Sequence, residues 1–257
     1  MTAFLVMLAT FILSYSAPAQ AEPEPGAASE SISPAEPKPL PPYPPTAHYQ
    51  VKTVEGWPVL VNRDFLRASP KLAERTLNLL QRQLEQVARR VPAQSLKTLR
   101  TIRIWVEERE PNTPCMAYHP NADWLREHGV NPDKARCVEL ANAKNFLAWT
   151  VDQPWIVLHE LAHGFHHQHL DQGFQNRPLQ AQFDRARAEG LYDSVLRING
   201  KREKAYAITN PMEYFAESTE AYFGTNDFYP YVRSELKEHD PRMFNLLGTI
   251  WETGSGS

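Results

Sequence analysis

Residues 153–170, QPWIVLHELAHGFHHQHL, place two demands at once on whatever fold contains them. Leu158, Leu161 and Phe165 recur at i, i+3 and i+7, the spacing of a helix whose apolar face is turned into a core. His159, Glu160 and His163 spell H-E-x-x-H, and the four-residue step returns both imidazoles to one side of that helix, one turn apart. Trp155, Ile156 and Val157 make the flank too apolar for a solvated helix with incidental histidines. The fold must therefore bury this helix and hold its polar face toward a cleft. There two neutral imidazoles can share one Zn²⁺, and Glu160 stands beside them, placed to take a proton from water.

A catalytic zinc takes three protein ligands and leaves a fourth position open. Two residues compete for the third place. His169 follows His163 by six residues, where a metzincin puts its third histidine, but that geometry needs the chain to leave the helix at a glycine and this sequence has His166 there. The other candidate is Glu213, in Asn210-Pro211-Met212-Glu213-Tyr214-Phe215-Ala216-Glu217. Glu213 and Glu217 are four apart and project from one helix face, so the first carboxylate could bind zinc and the second accept the free ring N–H of a ligating histidine. A purely structural reading competes: with Asn210 as N-cap and Pro211 at the first helical position, Glu213 occupies the place of a capping-box glutamate. The company of H-E-x-x-H favours the ligand. His166, His167 and His169 are otherwise expected as surface imidazoles near the cleft.

HELAH followed by Tyr206, then Glu213-Tyr214-Phe215-Ala216-Glu217, resembles the catalytic domain of anthrax lethal factor and the related Pro-Pro endopeptidases, which are gluzincins. In that family a tyrosine seven residues before the ligand glutamate faces the zinc-bound oxygen, and Tyr206 stands at that interval. The resemblance covers roughly residues 137–225. It implies a zincin-like metallopeptidase domain with His159, His163 and Glu213 as zinc ligands, Glu160 as general base, Tyr206 as oxyanion partner and Glu217 behind the ligands. Two other functions compete: a metzincin-like peptidase using His169, and a non-catalytic, zinc-stabilised binding module on a peptidase fold. Loss of Glu160 would mark the module, and Glu160 is present.

The 257 residues suffice for one medium domain, and a net charge of -3 with no basic run argues against a nucleic-acid partner. The expected partner is a peptide or protein substrate; nothing in the sequence fixes an oligomeric state. Residues 1–21 read as a signal peptide, apolar from Ala3 to Ala17 and closing on Ala19-Gln20-Ala21, although the leader begins Met-Thr without a basic residue. The apolar run is too short to span a bilayer, so no stable membrane insertion is expected after cleavage, and the product would be secreted or periplasmic. In that compartment Cys115 and Cys137 are expected to form a disulfide, contributing roughly 3 kcal/mol.

Proline-rich residues 22–47 cannot build a core and read as a disordered linker. The folded domain is expected over 48–252, with a flexible tail at 253–257. Within it the patterning predicts an α+β fold: a small antiparallel or mixed sheet and an active-site helix. Alternation around Glu55-Gly56 predicts a hairpin, and Ser69-Pro70 opens a long amphipathic helix ending at Pro92. Thr101–Glu107 reads as a half-buried strand, and the stretch between the cysteines as polar and irregular. Val138–Ala141 is expected as the edge strand beside the metal helix. Asn199-Gly200 marks a second hairpin, and helices are expected over 178–189, from Pro211 to Phe223, and over 229–237 and 241–251.

Overall fold

A computed structural model describes residues 43–253. The leader, most of the proline-rich linker and the last four residues lie outside that range.

The chain enters through a hairpin, β1 (Tyr49–Val54) and β2 (Trp57–Asn62), joined at Glu55-Gly56. Both turn residues have positive φ, 49° and 90°, the requirement of a tight two-residue turn that follows the strand twist, and Gly56 meets the larger angle without a Cβ penalty. After α1 (Arg63–Ala68), Pro70 starts α2 (Pro70–Arg90) as its first residue. The Ser69 hydroxyl does not cap this helix as its position suggests; it donates instead to Glu108 at 2.8 Å. Leu80, Leu84 and Val87 of α2 are buried in the core, and α3 (Ala93–Leu99) follows.

Next come β3 (Ile104–Val106), β4 (Met116–His119), α4 (Ala122–Glu127), β5 (Cys137–Leu140) and α5 (Ala143–Trp149). The five strands form one mixed sheet in the order β1-β2-β3-β5-β4, parallel across β2-β3-β5 and antiparallel at both ends. This order changes three sequence-based expectations. β3 is not half-buried: it lies mid-sheet with both faces covered, Ile104 and Val106 in the helical core and Trp105 under Tyr49, Leu60 and Cys137. β5 is interior, not an edge. The edge beside residues 156–169 is β4, formed by residues from the stretch expected to be irregular.

The cysteines are free thiols, both buried. The β4–β5 register explains why. His119 faces Cys137 and Met116 faces Leu140, while the Cys115 carbonyl accepts from the N–H groups of Ala141 and Asn142. The sulfur-bearing residues therefore sit four positions apart along one ladder, about 13 Å at the rise of a strand. A disulfide tolerates about 7 Å between Cα atoms.

On the sheet face away from the helices a buried charge network ties β1, β2, β4 and β5 to the residue that follows β3. Lys134 donates to Glu107 at 2.7 Å and to Glu139; Glu107 also accepts from Tyr49 (2.6 Å) and Asn62 (2.7 Å). His119 of β4 meets Glu139 at 2.6 Å. Charges this deep persist only when paired, and here each is.

The remaining helices pack on the opposite face: α6 (Ile156–His169), α7 (Arg177–Ala188), α8 (Pro211–Phe223), α9 (Arg233–His239) and α10 (Pro241–Thr253). A small hairpin, β6 (Val195–Leu196) with β7 (Arg202–Glu203), precedes α8. Trp251 of α10 stacks on Phe165 of α6 at 4.4 Å and on Phe215 of α8 at 5.8 Å, locking the two helices in one layer. Their polar faces meet beside the free edge of β4. Among the described residues no helix is long and apolar enough to cross a membrane.

Candidate active site

α6 buries Leu158, Leu161 and Phe165, as its period requires, and this sends His159 and His163 toward α8. Their rings stand edge to face, centroids 4.7 Å apart, with Nε2 atoms 3.1 Å from each other. α8 begins at Asn210, whose side chain accepts from the N–H groups of Met212 and Glu213, both at 2.9 Å. Asn210 thus caps the helix with its own oxygen, while the Glu213 carboxylate reaches across to the imidazoles. Its Oε2 lies 3.0 Å from His159 Nε2 and 3.4 Å from His163 Nε2.

Three ligand atoms bound to one zinc at 2.0–2.1 Å in tetrahedral geometry lie about 3.3 Å apart. Edges of 3.0, 3.1 and 3.4 Å fit that triangle. The donor set fits as well. Two ring nitrogens and a carboxylate oxygen turn their lone pairs toward one point, which only a positive charge can reconcile. Burial opposes charge on His159, but Glu213 and Glu220 on either side hold its pKa well above the usual histidine range. Burial likewise opposes charge on Glu213, and His163 and His159 hold it well below the carboxylate range. His159, His163 and Glu213 are a donor set that fits a cation.

Glu160, the residue after His159 on α6, is buried, one oxygen accepting the backbone N–H of Tyr118 in β4 at 2.8 Å. Tyr206 lies in a 3-10 turn, Tyr206–Ile208, packed on α8. Burial and the carboxylates of Glu213, Glu160 and Glu217 push its hydroxyl above the usual tyrosine range, so it keeps its proton.

One sequence-based assignment meets a different geometry. Glu217 is 3.9 Å from His159 Nδ1, beyond hydrogen-bond reach; the bond goes to Glu220 at 2.7 Å, a residue the sequence reading passed over. The signal was present, since Glu220 lies seven residues after Glu213, again on the same face. Burial and the carboxylates of Asp227 and Glu220 push Glu217 well above the usual range. Burial raises Glu220 too, but its bond to the His159 ring pulls the other way, and Glu217 lacks that bond.

α6 runs unbroken through His169, so six residues carry that side chain about 240° around the axis from His163. It lies against Phe165, away from the triangle. His166 is no surface imidazole: it is fully buried between Phe174 and Phe215, neither ring nitrogen has a partner, and burial pushes its pKa down to about 3. It serves as a neutral ring in the core. His167 bonds the Tyr118 hydroxyl at 2.8 Å and stacks on Phe174.

A family model described as "Anthrax toxin lethal factor, N- and C-terminal domain" matches residues 108–250, more than half of the chain. The chain belongs to this family. The matched part of the lethal factor family chain runs from the end of β3 into α10 and contains every residue of the site, whereas the β1–β2 hairpin and α2 precede it. No curated protein and no solved structure matches the chain.

Proposed function

We propose that the chain is a zinc-dependent endopeptidase, exported by its N-terminal leader. The observation that carries this reading is the triangle of His159 Nε2, His163 Nε2 and Glu213 Oε2, with Glu160 buried at the next position of α6 after His159. His159, His163 and Glu213 would hold Zn²⁺, which when bound would supply a Lewis acid for the scissile carbonyl and for water.

The rest falls to the chain's own groups. Glu160 has one oxygen tied to Tyr118 N–H and the other free to accept a proton from the attacking water and deliver it to the leaving amine. The protonated Tyr206 hydroxyl donates to the oxyanion that develops. The free edge of β4 suits an extended peptide, which would add to the sheet as a further strand and lay its backbone along the site.

The test is cleavage of a peptide library by the purified chain, with and without chelator, alongside Glu160→Gln. Loss of the general base should lower kcat/KM by at least 10²–10⁴-fold while zinc content stays at the wild-type level. A Glu160→Gln protein as active as wild type would remove Glu160 from the mechanism. A wild type that binds zinc but cleaves nothing would favour the binding-module reading.

A further inference from the structure

Glu213, Glu217 and Glu220 share one face of α8, and all three are buried. They do not meet His159 equally. That ring is held at both nitrogens: Nε2 faces Glu213 Oε2 at 3.0 Å, and Nδ1 faces Glu220 Oε1 at 2.7 Å. Glu217, between the two in sequence, comes no closer than 3.9 Å to Nδ1, and its other oxygen has no partner. An Nδ1–H can serve one close acceptor. At 2.7 Å the contact to Glu220 is a charge-assisted hydrogen bond, whereas 3.9 Å is no bond.

We propose that Glu220 is the positioning residue of the metal site: it accepts the Nδ1–H of His159 and so fixes the tautomer and ring orientation that present the Nε2 lone pair to the metal. This rests on the metal site proposed above. An ionised carboxylate can only accept, so the proton is confined to Nδ1 and the lone pair to Nε2. Burial of both partners keeps water from competing for the bond. The negative partner also makes the imidazole a better donor toward a cation. Glu217 is a bystander to this bond.

The experiment measures zinc affinity by competition with a chromophoric chelator for wild type, Glu213→Ala, Glu217→Gln, Glu220→Gln and Glu220→Ala, with a circular dichroism melt of each metal-free protein as a control for folding. Glu220→Ala should weaken zinc binding about 10–100-fold. Glu220→Gln, isosteric and still an acceptor, should fall between it and wild type, and Glu217→Gln should stay within about threefold of wild type. In the cobalt-loaded proteins, the exchangeable ring proton of His159 should be visible by proton NMR in wild type, Glu217→Gln and Glu220→Gln, and lost to solvent exchange in Glu220→Ala. Wild-type affinity in both Glu220 variants, or a loss in Glu217→Gln as large as in Glu220→Ala, would overturn the assignment while Glu213→Ala still abolished binding. Failure of the wild type itself to bind zinc would instead overturn the metal reading and this assignment with it.

Discussion

Gly224 follows the last residue of α8 and closes the helix through its N–H to the Glu220 carbonyl. A Cβ at this position would lie 2.1, 2.2 and 2.4 Å from three atoms of the Trp155 indole, the residue from which α6 springs. Carbon atoms in contact stand about 3.5 Å apart, so Gly224→Ala demands a retreat of about 1.4 Å by the ring or by the end of α8. The indole is a rigid plate, buried and covered by the Arg90 guanidinium at 4.8 Å, so it cannot yield by rotating one bond. Overpacking of this kind costs about 1–3 kcal/mol, and the rigidity of the obstacle puts Gly224→Ala at the upper end. The displacement also falls where α6 and α8 are pinned together, one turn before His159 and one turn after Glu220. Urea unfolding of the metal-free protein should show the loss as a lower midpoint at unchanged slope. The double mutant Gly224→Ala/Trp155→Leu should recover part of it, because the smaller side chain removes the obstacle, and the coupling in that cycle should be at least about 1 kcal/mol. A single mutant within about 0.5 kcal/mol of wild type, or a cycle without coupling, would refute the packing argument.

Glu213→Ala should lose zinc on metal analysis while His169→Ala keeps it, because His169 points away from the triangle; the reverse result would restore the metzincin ligand set. Lys134→Met should destabilise by about 3–5 kcal/mol, since it leaves Glu107 and Glu139 buried without their cation. Burial opposes charge on Glu139, but His119 and Lys134 depress its pKa below the ordinary 4.5, so this pairing stabilises fully above that pH and is lost on acidification through the lower folded value. Urea midpoints followed from pH 7 to pH 3 should therefore fall for wild type and fall less steeply for Lys134→Met. Thiol titration of protein purified without reductant should find two reactive groups per chain after denaturation and almost none before, because both cysteines are buried and burial, with Glu160 nearby, lifts the Cys115 pKa to about 12; a disulfide found by mass spectrometry would contradict the strand register.

Local patterns carried what is decided within one or two helical turns or one hairpin. The α6 helix, the paired histidines, the Asn210 cap and the Glu55-Gly56 turn depend on neighbours three or four residues away, and sequence determines these. Strand order depends on contacts between distant segments, so β4 was hidden in a polar stretch and β5 took its place as the expected edge. The cysteine pair failed for the same reason: a short separation in sequence gives no register, and register puts about 13 Å between them. His166 looked like a surface imidazole because its burial comes from Phe174 and Phe215, on other elements.

The clearest division lies inside the site itself. Around the axis of α8, Glu217 and Glu220 stand only about 40° and 20° from Glu213, on opposite sides of it. Helix periodicity therefore puts all three carboxylates on one face and cannot rank the two that follow Glu213. The packing of α8 against α6, locked by Trp251 between Phe165 and Phe215, sets which of them meets His159 Nδ1, and it brings Glu220 to 2.7 Å and leaves Glu217 at 3.9 Å. Sequence determined that the acids face the histidines; tertiary packing decided which acid holds the ring.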